Sequence, residues 1–199
     1  MSIAAVAGMN KATPAEKERP KFEIAPAVSY PSHQTGEKVT IGAAAYDTAE
    51  KARAAFGKLN PYQYGVLPVL LVIQNDGDQA IGTDRVRVDY VSAGGSHVDA
   101  TPAADVRYLS GPRQPKVVTG PLPTAGPRIS RKKNPLDAWE IEGRAFSAKM
   151  IPLGQSAGGF FYFQTGHSPN ARVYLTGIAE ASSGRELLYF EFPLKDDPR

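Results

Sequence analysis

The chain has 199 residues, 42% of them hydrophobic and 22% charged, with a net charge of +3 and a pI near 9.0. That is the composition of one globular domain with appendages, long enough to hold a core without staples. The absence of cysteine excludes a disulfide framework, a zinc–thiolate site and a cysteine nucleophile, and no apolar run approaches the length of a membrane-spanning helix.

Residues 1–36 read as an extended N-terminal arm, with Pro14, Pro20, Pro26 and Pro31 among charged and hydroxylated residues. Such a composition buries too little surface to offset its chain entropy. Within it, Phe22 and Ile24 alternate briefly, enough for a short edge strand ending at Pro26. Ala5-Val6-Ala7 has the small-x-small form of a signal-peptidase site without the basic and apolar regions that precede one. Residues 1–8 therefore read either as the remnant of an export signal or as a plain terminus.

One domain is expected over 37–194, followed by a polar tail at 195–199. Its clear helix covers about 48–56, "TAEKARAAF", with Asp47 as the expected cap, Glu50 closing a capping box and Gly57 ending the helix. Phe56 should pin it to the core, since so short a helix is marginal alone. Val66 to Ile73 then form an unbroken apolar run that includes Pro68 and leads into the turn Asn75-Asp76-Gly77-Asp78. A run this short cannot cross a bilayer. It reads as a central strand covered on both faces: Val66 and Val72 by an opposing sheet, Leu67, Leu71 and Ile73 by helix, arm or partner. Pro68 should mark a bulge or the strand's entry. "RVRVDYV" (85–91) alternates strictly, with Val86, Val88 and Tyr90 on the inner face. "HVDATP" and "DVRYL" are weaker strand candidates.

Residues 111–135 hold six prolines and six Lys or Arg with no acidic residue, a long basic loop. From Trp139 strands are expected again: "RAFSAKMI", "GGFFYFQT", "ARVYLTGI" and "RELLYFEF", broken at Pro152-Leu153-Gly154, Ser168-Pro169-Asn170 and Ser182-Ser183-Gly184. Short strands at this spacing with no helices between them predict an all-β antiparallel sandwich. In "FFYF", Phe161 and Phe163 point one way, Phe160 and Tyr162 the other. In the last strand Leu188, Phe190 and Phe192 share a face opposite Leu187 and Tyr189. The outer aromatics need cover from the helix, the arm or a partner.

"VLPVLLVIQNDGDQAI", an apolar strand ending in Asn and a Gly/Asp turn, resembles immunoglobulin-like domains of bacterial exported proteins. "MIPLGQSAGGFFYFQTG" with the "VYLTG" and "LLYFEFPL" strands resembles their closing half. The likeness spans roughly 64–92 and 148–194. It implies an immunoglobulin-like sandwich and no active site; the helix and the basic loop lie outside it.

Catalytic motifs are weak. Gly154-Gln155-Ser156-Ala157-Gly158 fits G-x-S-x-G, but a nucleophile elbow needs a strand-to-helix turn and the aromatic run that follows is strand-like. Ser130 to Lys133 fits S-x-x-K, but Asn134-Pro135 cuts short the helix that pair requires. His33, His97 and His167 stand in polar surroundings without metal-ligand spacing. No motif requires a cofactor or a metal. Arg128, Arg131, Lys132 and Lys133, next to Trp139, are the candidate contacts for a partner or an anion. Nucleic acid is not expected: aromatic–basic interleaving and a recognition helix are both missing.

The sequence thus reads as a non-catalytic accessory or assembly subunit, binding protein partners and favouring a setting outside the bacterial cytoplasm. A carbohydrate or anionic-polymer binding module is the alternative, and a serine hydrolase on Ser156 ranks third.

Overall fold

Strand β3 (Leu67–Asn75) is the axis of the computed structural model, which describes residues 22–109 and 134–195. It pairs antiparallel with β2 (Val39–Ala45) on one side and β8 (Ser156–Phe163) on the other, and β2 pairs in turn with β1 (Ser32–Gly36). A second four-stranded antiparallel sheet has the order β11 (Phe190–Pro193), β9 (Arg172–Thr176), β5 (Arg87–Val91), β6 (His97–Asp99). A small third sheet of β10 (Ala179–Glu180), β4 (Ile81–Gly82) and β7 (Met150–Ile151) completes the strands. The helices are short: α1 (Ala49–Phe56), α2 (Val106–Leu109) and α3 (Trp139–Gly143), with 3₁₀ turns at Ala27–Ser29 and Pro61–Tyr64. The chain is a mostly-β antiparallel sandwich.

Two separate cores explain the unbroken apolar run. Leu67, Val69, Leu71 and Ile73 join Val88, Tyr90, Val173, Leu175, Phe190 and Phe192 between the two large sheets. Val66, Leu70 and Val72 face the other way, into a layer with Ala27, Ala55, Phe56, Val106, Leu136 and Ile141. This reverses the expected parity: Leu67, Leu71 and Ile73 meet the opposing sheet, while Val66 and Val72 lie under the helices. A run without a polar residue marks no face, so only the register with β2 and β8 decides it. Phe163 likewise joins the first core and Phe160 and Tyr162 the second. Pro68 lies one residue inside the strand, where its carbonyl accepts from Tyr46 N.

Several local expectations are corrected. The cap of α1 is Thr48, whose hydroxyl accepts from Lys51 N, one residue beyond Asp47. Gly57 ends the helix with φ 65°, and Phe56 is buried as expected. "DVRYL" contains the helix α2, and residues 139–143 form α3 where strands were expected to resume. Residues 22–26 form no strand, whereas 32–36, expected within the arm, form β1. The β1–β2 turn escaped notice because Glu37 and Lys38 adopt φ 47° and 60°, values usually supplied by Asn or Gly. Leu188 is exposed while Phe190 and Phe192 are buried, so the three do not share a face as expected, because β11 begins only at Phe190.

Both edges between the sheets are stitched. Along one, β1 faces β11: Glu37 accepts from Leu188 N (2.7 Å), Gln34 from Glu191 N (3.0 Å) and Ser32 from Lys195 N (2.6 Å). Along the other, the chain after β6 leaves the second sheet, and Thr101 N donates to Tyr162 O of the first (2.7 Å). Phe146 N and Phe160 O, with Phe160 N and Arg144 O, then add residues 144–146 beside β8. Gly159 permits this approach, since a Cβ there would lie 2.4 Å from Phe146 Cα.

Candidate functional site

The two outer faces of the sandwich differ. The first sheet is roofed by residues 22–30, α1, α2, α3 and Leu136, which form the second core. The second sheet has no such layer among the described residues, and its outward positions carry polar and aromatic side chains. Asp99, Asp89, Tyr174 and Glu191 are successive cross-strand partners on β6, β5, β9 and β11. They form one row across four strands, because directly opposed residues share a face.

Three rings line this row. Tyr189, 58% exposed, lies 5.5 Å from Tyr174, whose ring lies 6.2 Å from that of His97 in an edge-on contact. The charges are partly organised: His97 Nδ1 lies 3.3 Å from Asp89 Oδ2, and Arg172 Nε 3.2 Å from Glu191 Oε1. Asp89 and Asp99 stand directly opposite one another, a like-charged arrangement that disfavours the bare sheet. Round the edge of the sheet both aspartates also line a cleft of about 430 Å³. Its lining includes Arg87 and the stacked pair Phe146 and Phe161, with ring centroids 5.5 Å apart. This surface can hydrogen-bond, pair charges and pack rings.

The residues singled out in the sequence fall elsewhere. Arg128, Arg131, Lys132 and Lys133 lie outside the described residues. Trp139 opens α3 at 59% exposure, its ring over Gly143, where an added Cβ would come within 3.0 Å of it. Beside it Glu140, Glu142 and Asp137 make an acidic surface, and Arg107 of α2 pairs with both Asp137 and Glu142. Tyr108, 72% exposed, lies on the neighbouring α2.

Ser156 is the first residue of β8 and pairs with Gln74, so the segment around it is a turn into an antiparallel strand and not a strand-to-helix elbow. The three histidines stand apart: His33 with Tyr30 O, His97 with Asp89, and His167 with Tyr90. Among the described residues no three His, Asp or Glu side chains converge as a metal would require.

The cluster at His167 has a structural purpose. The buried Tyr90 hydroxyl accepts from Ser168 N (2.7 Å) and lies 3.1 Å from Ser168 Oγ and 3.2 Å from His167 Nδ1. His167 N donates to Tyr62 Oη (3.1 Å). Ser168 and His167 thus meet through the tyrosine, and the loop before β9 is tied to the core.

The outward residues of the second sheet were individually legible from the alternation in "RVRVDYV" and "ARVYLTGI". Their assembly was not, because nothing in the sequence says that β9 lies between β5 and β11.

No family model matches the chain, and no curated protein matches it. Among solved structures it is similar to a candidate lipoprotein (ycdA) of Bacillus subtilis subsp. subtilis str. 168, with 11% identity and a TM-score of 0.38 over 83% of this chain and 39% of that one. The chain thus spans 39% of that protein's length. It is also similar to Northeast Structural Genomics Consortium target SoR45, with 11% identity and a TM-score of 0.34 over 81% of this chain and 85% of that one. A third likeness is to an uncharacterized beta-sandwich protein of Clostridium difficile 630, with 12% identity and a TM-score of 0.33 over 89% and 100% of the two chains. These are distant likenesses, and the site is read from the chain's own residues.

Proposed function

We propose that the protein is a non-catalytic binding module whose working surface is the outer face of the second sheet, taking a protein partner. The observation that carries this is the asymmetry of cover. Among the described residues one sheet is roofed by the chain itself, while the other leaves Tyr189, His97 and Asp99 exposed and Tyr174, Asp89 and Glu191 half-buried in one connected patch. Exposed tyrosines set among charged residues are the composition of a protein interface, with rings as anchors and charges setting register. An extracytoplasmic setting, in keeping with Ala5-Val6-Ala7, belongs to the same proposal.

An immunoglobulin-like topology is part of this reading. With β2, β3, β5, β6, β8, β9 and β11 lettered A, B, C, C′, E, F and G, the pairings A–B–E and G–F–C–C′ follow that pattern. The strand β1, the third sheet and the helical roof are then additions to it.

A photo-crosslinking side chain placed at position 189 tests the proposal in cells that produce the protein, with position 28 on the roofed side as control. Val28 is comparably exposed, at 56%. The expected result is a discrete adduct from position 189 that position 28 does not give and that Asp89→Lys weakens. Identical adducts from both positions, or none from 189, would overturn the assignment.

A further inference from the structure

The roof over the first sheet includes a segment seated in a trough of its own. Residues 22–30 run across the strands, and the sheet beneath is hollowed to receive them. Gly42, Val72 and Gly158 are cross-strand partners in one row over β2, β3 and β8. A Cβ on Gly42 would lie 2.4 Å from Ala27 O, and one on Gly158 would lie 2.9 Å from Ile24 Cγ2. At Gly42 the obstacle is backbone, so only glycine fits there, and at Gly158 it is the Ile24 side chain, which would have to shift.

The segment is itself a preformed hook. Ser29 N and Ser29 Oγ donate to Pro26 O, and Ala25 N donates to Tyr30 Oη (3.1 Å). Among the described residues, every hydrogen bond that residues 22–29 make stays inside the hook. Its hold on the body is packing alone: Ala27 is buried, and Phe22 lies against Phe160 (5.6 Å) and Tyr46 (6.0 Å) beneath the Arg144 guanidinium (5.0 Å). The link to β1 is Tyr30, already extended, followed by Pro31.

We infer that the hook is exchangeable, and that the trough of one copy takes the hook of a second copy of this chain. A piece bound by shape, joined through one extended proline link and hydrogen-bonded to the described body only where Tyr30 O meets His33 Nδ1 beside that link, can leave without breaking backbone pairing. The occupant that refits a trough cut to Ile24, Ala27 and Tyr30 is the same hook on another molecule, which restores every contact. This surface lies on the opposite sheet from the proposed binding face, so the two readings stand or fall separately.

Light scattering on the full chain at low and high concentration reads the exchange first. The expected result is a species of twice 21.3 kDa at high concentration that disappears on dilution. It should be lost in the Phe22→Ser/Ile24→Ser variant. A monomer at every concentration, or a dimer that the variant forms equally well, overturns the inference. Mixing decides the site without that variant, since the chain has no cysteine of its own. Chains carrying Ile24→Cys are oxidised together with chains carrying Gly158→Cys, in which the chain's own Ile24 no longer fits. Exchange gives a mixed disulfide in excess over both homodimers, and a mixed yield no greater than theirs overturns it.

Discussion

Asn75 shows at the scale of one residue why the sequence "QNDG" follows the apolar strand. The residue is wholly buried, and its Nδ2 donates to Gln79 O (2.8 Å) and Ile151 O (3.1 Å) while Oδ1 accepts from Gly77 N (3.0 Å). Its backbone is also used, with Asn75 N donating to Gln155 O and Gly154 N donating to Asn75 O. The side chain therefore ties the turn after β3 to β7. Asn75→Ala leaves three partners unmet, the buried Ile151 O and the half-buried Gln79 O and Gly77 N, and should cost about 2 kcal/mol. Urea unfolding reads this as a lower midpoint at an unchanged slope. A second residue-scale prediction concerns Glu180, whose carboxyl is held down to about 2 by hydrogen bonds from Arg185 and then Ser183. Its folded pKa lies below the ordinary value of 4.5, so the stabilisation is complete above 4.5 and fades as pH falls from there towards 2. Glu180→Gln should flatten the loss of thermal stability across that window, measured against the wild type.

The elements were legible where local chemistry decides them and illegible where the register does. The helix α1 and its closing glycine followed from alanines and Gly57, and β5 followed from strict alternation. The hairpin β1–β2 did not, because its turn uses Glu37 and Lys38 with positive φ in place of Asn-Gly. Those two residues are held from outside the turn: Glu37 by Arg185 and Leu188 N, Lys38 by Asp78. "DVRYL" misled because four residues with a β-like composition become helical once Val106 is buried in the roof and Arg107 is shared with α3. The stitching of β1 to β11 by Ser32, Gln34 and Glu37 was also invisible, since side-chain acceptors meet backbone donors more than 150 residues away. It makes a prediction of its own. Gln34→Ala should cost about 1 kcal/mol and speed hydrogen exchange at the Glu191 amide, while the Tyr174 amide on the neighbouring strand keeps its protection.

At the scale of the molecule, one question set by the sequence is what covers the second face of the apolar strand. The roof answers it with Ala27, Phe56, Leu136 and Ile141, all from the same chain. The surplus aromatic surface of β8 that suggested a partner is thereby used internally, and the open surface belongs to the other sheet. The row Asp99, Asp89, Tyr174, Glu191 was beyond sequence reasoning for the same reason as the roof: both are products of strand order. Hydroxyl-radical footprinting of the intact chain tests this division most directly, because it reads side-chain cover residue by residue. The expected pattern is fast oxidation of Tyr189, with Phe160, Tyr162 and Phe56 protected until the chain unfolds. Oxidation of Phe160 and Tyr162 at the rate of Tyr189 would contradict it, by placing the open face on the first sheet.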